Sequence, residues 1–188
     1  MYSSLSDSRQ TELDSIVTWA ACAGDNYYFN MQQADFEKSM KGNEEEDFYK
    51  AYVYQREIGL EKFQTEIAEK IAAIYNPIEL HYLVAEYNYD DGCWPLKQVI
   101  LNPACDIRTA RMVYWLMQPD YYYDNFGGVG MTKNNQDDKL LALIEEKAVA
   151  GGFVNMLSAE FEDEEVAEKE EDSPYSQIPA VLWLPEEE

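Results

Sequence analysis

The chain has 188 residues, with 37 Asp and Glu against 14 Lys and Arg, giving a net charge of −23. That length suffices for one ordinary domain with a buried core and no staples. The charge repels nucleic-acid phosphates and anionic lipid surfaces, and it favours cationic partners, chiefly basic proteins. Cys22, Cys93 and Cys105 are odd in number, widely spaced and free of any CxxC pair, which argues against a disulfide framework or a zinc ribbon and suits a reducing cytoplasm. The opening MYSSLSDSRQTELD lacks a basic start followed by an apolar run, and no apolar stretch approaches the roughly 20 residues of a membrane helix. The sequence therefore predicts neither export nor anchoring.

From Ser8 to about Ala23, Leu13, Ile16, Val17 and Ala20 recur at helical spacing, which predicts a first helix with one buried stripe. Tyr28, Met31, Phe36 and Met40 give a second apolar side between Asn26 and Met40, interrupted at Gly42. Asn43 ahead of Glu44, Glu45 and Glu46 is an N-cap followed by acids, where a helix dipole favours them, and that helix can run to Gly59. Leu60, Phe63, Ile67, Ile71 and Ile74 make the clearest amphipathic stripe in the chain, with Glu66 placed to pair with Lys70. Asn76-Pro77 stops it and starts the next, because Asn caps and Pro suits the first helical position. The short helix that follows, carrying Leu80, Leu83, Val84 and Tyr87, is apolar on most sides and predicted to lie deep.

A brief helical piece spans Pro95 to Leu101, ended by Asn102-Pro103. Asp106 caps the next, whose Ala110, Val113, Tyr114 and Met117 share one face and Arg108, Arg111 and Trp115 another, until Pro119. Residues 119 to 135 read as a long loop without periodicity. The last long helix starts near Asn135, with Asp137 and Asp138 in its first turn and Leu140, Leu143, Ile144 and Ala148 inward, and stops at Gly151-Gly152. From Glu160 to Asp172 nine acids and one lysine carry −8. IPAVLWLP after them reads as an extended apolar segment that is a hazard unless it docks on the body or a partner. The predicted fold class is thus all-α, an irregular bundle of about seven or eight helices with an acidic C-terminal tail. Residues 1–159 form a single helical domain, made of N-terminal helices 8–75 and a core 76–159, and residues 160–188 form the tail.

Chemistry-bearing motifs are sparse. Asn88 to Gly92 combines residues that tolerate a left-handed backbone with side chains that cap, as a corner requires. Asp90 and Asp91 there lack the alternating oxygen ligands and distal Glu of a calcium loop. His81, the sole histidine, matches no zinc module with Cys93 and Cys105, and without a second histidine a Ser or Cys nucleophile lacks its usual base. These patterns predict no cofactor and no metal, and they disfavour an enzyme. GGVGMTK at Gly127 resembles a phosphate loop but has Met131 where the lysine belongs and Asn125 where the first glycine belongs, so it reads as a flexible loop. Arg108, Arg111 and Trp115 are read as neutralising acids of the same chain. Fifteen tyrosines exceed what such a core needs, and the Tyr121, Tyr122, Tyr123 run suits a protein-binding surface as well as a structural role.

Asn88, Asp90, Asp91 and Gly92, then Pro95, Asn102-Pro103, Cys105-Asp106, Thr109-Ala110 and Tyr114-Trp115, together resemble a bacterial family called domain of unknown function 4274. The resemblance covers roughly residues 78 to 123. Tyr89 stands where the family usually has Trp, and Arg111 where an aliphatic residue is common, which makes the outer face of that helix more polar. The resemblance implies a small helical domain with no known catalysis, with Asn88, Gly92, Pro95, Asn102, Cys105, Asp106, Thr109 and Trp115 as its structural motif. Some members are associated with toxin-linked gene neighbourhoods, which by analogy implies an immunity-like role.

The sequence thus points first to a cytoplasmic, acidic protein-interaction module, most concretely an immunity-type inhibitor that occludes a basic toxin or effector. Asp90, Asp91, Trp94, Tyr121, Tyr122 and Tyr123 are its candidate partner contacts, and the oligomeric state is left open. Two rival readings are a metal-assisted hydrolase around Asp90, Asp91 and His81, and a DNA mimic whose carboxylates imitate phosphates.

Overall fold

The computed structural model describes residues 1–24, 31–42, 46–163, 166 and 175–184. Among these are nine α-helices: α1 (Asp7–Gly24), α2 (Gln33–Ser39), α3 (Asp47–Ile58), α4 (Leu60–Ala72), α5 (Pro77–Glu86), α6 (Trp94–Leu101), α7 (Ile107–Leu116), α8 (Pro119–Phe126) and α9 (Gln136–Val149). No strands accompany them among the described residues. The all-α expectation holds, and the expected cap at Asn43, the apolar Tyr28 and most of the acid run from Glu160 to Asp172 lie outside the described residues.

Helix α1 is the central post. It packs against α3, α4, α5 and α6, while α7 and α9 pack on the far side of that group with α8 beside α9. Its stripe explains the position: Leu13 is fully buried and Ala20 to Ala23 follow it inward, small residues that let neighbouring backbones approach closely. Phe63, Ile67 and Ile71 of α4 are at most 1% exposed, so the sequence's strongest stripe is buried as predicted. The expected Glu66–Lys70 pair gives way to aromatic partners. Glu66 accepts from the Tyr54 hydroxyl at 3.1 Å, and the Lys70 ammonium sits 4.7 Å from the Trp19 ring centre, where a cation meets the negative face of the ring.

The predicted caps close the helices. Asn76 accepts from Ile78 N at 3.1 Å ahead of Pro77, and Asn135 accepts from Asp137 N and Asp138 N at 2.8 and 3.1 Å, satisfying amides that have no partner within the helix. Buried Asn102 works across elements instead. Its Nδ2 donates to Ile71 O and Ile74 O at 2.9 and 3.0 Å, ending α4, and its Oδ1 accepts from Ala104 N at 2.8 Å. The Lys147 ammonium donates to Ile100 O at 2.5 Å and lies 4.5 Å from the Phe153 ring centre; burial lowers its pKa.

Two segments differ from expectation. Residues 119–126 are helix α8, where a loop was expected. Gln118 takes a left-handed conformation, φ 53°, which turns the chain out of α7, and Pro119, suited to a first helical position, then starts the new helix. The apolar tail segment is not extended either. It makes a 3₁₀ turn at Ala180–Leu182, docks on the body, and buries Ile178, Leu182 and Trp183 at 3%, 0% and 2% exposure.

Asp106 joins the chain that follows α9 to the bundle. Fully buried, it caps α7 through Arg108 N at 2.9 Å and accepts Met156 N and Leu157 N at 2.5 and 3.0 Å. A short parallel bridge lies alongside, with Ile107 N donating to Val154 O at 2.9 Å and Val154 N donating to Cys105 O at 3.1 Å. Three amide donors offset the cost of burying a carboxylate. Asp106→Ala strands them, and urea unfolding is expected to show a loss on the order of 3 kcal/mol.

Candidate functional site

The Asn88 to Gly92 stretch is a corner, and it is also one wall of a cleft. Its centre is a single 3₁₀ turn, Tyr89–Asp91. Asn88 caps it by accepting from Asp90 N at 3.3 Å, Gly92 leaves it at φ 96°, and the Tyr87 hydroxyl donates to Gly92 O at 2.8 Å. The end of α1 presses on it so closely that a Cβ at Gly24 would collide with the Tyr87 hydroxyl and the Asp91 carbonyl oxygen. Glycine is needed there for space, not for backbone freedom.

Opposite the corner stands the N-terminus of α9. Between them opens a cleft of about 790 Å³ whose walls include Tyr89, Asp90, Trp94, Lys97, Asp137 and Lys139, a size in the range of ligand-binding clefts. Two further depressions share wall residues with it: a furrow between α4 and α6, with Trp94 and Gln64 in common, that carries Glu61, Glu69 and the half-exposed Leu101, and a hollow, with Tyr89 and Asp137 in common, lined by Met117, Gln118 and Tyr121. Charge is balanced at the centre, where Asp90 and Asp137 face Lys97 and Lys139, and turns acidic toward Glu61 and Glu69.

The candidate contacts divide sharply. Asp90 is exposed, Trp94 is half-buried on the cleft wall, and Tyr121 is 51% exposed at the hollow. Tyr122 and Tyr123 are instead 5% and 9% exposed, facing inward from α8. Tyr123 donates to Glu145 at 2.9 Å and Tyr114 to the same oxygen at 2.5 Å. Burial raises the pKa of all three groups. Asp91 is partly buried at the foot of the corner. Of the structural motif, Pro95, Cys105 and Thr109 are buried, Thr109 with its hydroxyl unpartnered.

His81 lies inside the protein, fully buried. Its Nδ1 accepts from the Tyr2 hydroxyl at 2.7 Å and its Nε2 donates to Phe161 O at 3.0 Å, so both ring nitrogens are engaged. Among the described residues, no three His, Cys, Asp or Glu side chains gather as metal ligands. Burial pushes each cysteine thiol up to about 12, for Cys93 with help from the neighbouring Asp137 carboxylate, and a thiol so shifted is protonated and unreactive near neutrality.

Sequence reasoning missed Asp138. This fully buried carboxylate accepts Gly130 N at 2.6 Å and both Thr132 N and Thr132 Oγ1, at 2.7 and 2.5 Å. It occupies the amides that a phosphate would need, so the GGVGMT loop is pinned from within. The available signal was its place three residues before Leu141 on the inward stripe of α9. Gln118 was missed as well. It is the sole non-glycine residue with positive φ among those described, and it lines the hollow beside Tyr121.

Residues 75–149 match the family described as Domain of unknown function (DUF4274). The match is wider than the stretch that carries the resemblance in the sequence, adding the end of α8 and all of α9, and with α9 the second wall of the cleft. No curated protein and no solved structure matches the chain. No described helix is long and apolar enough to cross a membrane.

Burial is the first cause that lowers the His81 pKa below its ordinary value; the Phe161 carbonyl and the more distant Asp163 and Asp106 oppose it. The unfolded chain therefore takes up a proton first, and stability that is complete above about 6.5 drains away as pH falls through the lower folded-state value. Urea melts across that window are expected to show this slope, and His81→Gln to flatten it. Asp138→Ala is expected to cost about 2 kcal/mol and to speed hydrogen exchange at Gly130 and Thr132.

Proposed function

We propose that this protein is an acidic interaction module that captures a basic protein, and that its concrete role is that of an immunity-type inhibitor acting by occlusion. One observation carries the reading. The aromatic and acidic residues singled out by sequence that reach the surface, Asp90, Trp94 and Tyr121, line a cleft and the depressions that share its wall residues, and those walls come mostly from the family-matched span. Aromatic anchors set in a depression with a charged rim are how protein interfaces concentrate their affinity. A body of net charge −23 speeds the encounter with a cationic partner, while the aromatic floor slows release. Three buried, unpaired cysteines suit a reducing cytoplasm, where such an inhibitor would meet its target.

The test is capture from native-host extract on immobilised protein, comparing wild type with Asp90→Lys/Trp94→Ala/Tyr121→Ala. The wild type is expected to retain a basic protein that high salt weakens and the triple variant loses. Identical sets of retained proteins on both would sink the reading.

A further inference from the structure

The hollow beside Gln118 differs in chemistry from the cleft it adjoins. It holds about 220 Å³, room for a small head group and too little for a larger ligand. Three tyrosines line it. Tyr121 and Tyr122 stand at 86° to each other with ring centres 5.4 Å apart, like two panels of a box, and the third, Tyr89, belongs to the corner. Tyr89 and Tyr121 keep 48% and 51% exposure, so neither ring is consumed by the core. The left-handed turn at Gln118 sends the chain back from the end of α7, and Leu116 and Met117 of that end complete the lining.

Asp137 is the charged residue among those walls. Among the described residues no lysine or arginine forms an ion pair with it, and Lys97 and Lys139 line the adjoining cleft and not the hollow. Burial first, and then the Asp137 carboxylate, raises the Tyr122 pKa, as a negative charge close to that ring must. The end of α7 adds to the same sign, because a helix C-terminus is the negative pole of its dipole, and Asp120 in the first turn of α8 offsets the positive pole of the helix that starts there. One carboxylate among rings and a thioether is a poor seat for calcium or magnesium, which take about six or more oxygen ligands. It suits a weakly hydrated organic cation, which is drawn to the electron-rich faces of aromatic rings.

We infer that the hollow is a binding site for an organic cation, a guanidinium or quaternary ammonium head seated among Tyr89, Tyr121 and Tyr122 with Asp137 as its counter-ion. The inference rests on the interaction reading above only for the source of that cation. A basic partner brings it as a side chain, and a free quaternary ammonium compound brings it unattached.

The test is a titration of the full chain with choline, followed through the tyrosine ring signals by NMR. Two controls run beside it: the uncharged isostere of choline, in which a tert-butyl group replaces the trimethylammonium, and sodium chloride at matched ionic strength. Choline is expected to shift the Tyr89, Tyr121 and Tyr122 signals saturably in the millimolar range, and its isostere to bind at least about fivefold more weakly. Asp137→Asn and Tyr89→Leu are each expected to weaken choline at least about threefold. Equal binding of choline and its isostere overturns the inference, as do shifts that sodium chloride reproduces and unchanged affinity in both folded variants. Should either variant fail to fold, the comparison of choline with its isostere on the wild type decides. Tighter binding of N-acetyl-arginine amide than of choline assigns the cation to a partner's side chain, and the reverse order assigns it to a free compound. Neither substitution belongs to the triple variant and choline needs no partner, so a failure here and a failure of capture from extract are separate results.

Discussion

A buried carboxylate holds α7 and the chain that follows α9 in register. Asp106 starts α7 with one oxygen and with the other gathers the amides of Met156 and Leu157, so the helix and the chain that returns across it are set by one side chain. Everything downstream inherits that placement. Phe161 reaches His81, Glu162 reaches Arg111, and the later turn at Ala180–Leu182 finds Trp115. A charge without solvent is tolerable only when its lone pairs are taken up, and here the acceptors are filled by segments fifty residues apart in sequence.

Local signals in the sequence were read well, and long-range ones were not. Asn76, Asn135 and Asp106 announced helix starts because a cap and its amides are two or three residues apart. The stripe on α4 was equally plain. Helix α8 was legible but overlooked: Pro119, Tyr122 and Tyr123 fall at i, i+3 and i+4, a pattern masked by the glycines and asparagines that follow. Its inward side accounts for Tyr122 and Tyr123, so a run of three tyrosines contributes one exposed ring. Asp138 and Glu66 could not be placed from spacing. Their partners, Thr132 and Tyr54, are chosen by how elements meet, and a helix dipole or a neighbouring lysine explains the same residues equally well on paper.

The site repeats that division. The corner was visible as turn chemistry, yet its role as a wall depends on α9 arriving opposite, which no local pattern encodes. His81 was conspicuous as the sole histidine, and it proves to tie the N-terminal Tyr2 to the returning Phe161. The arginines of α7 were expected to meet acids of the same chain, and Glu162 fulfils that; their second occupation, with the carbonyls of a docked segment, follows only from the fold.

The wedge of α1 beneath the corner bears on how the protein can be divided. Ile16, Val17 and Ala20 face Leu83, Tyr87, Pro95 and Leu96, so a helix outside the matched span supplies the floor on which that span rests. Cutting the chain at its sequence-family boundary would strip this apolar surface bare and free the corner from the backbone that Gly24 brings against it. The recognisable portion thus shares its apolar core with a helix that precedes it, and an excised version would expose that surface to water.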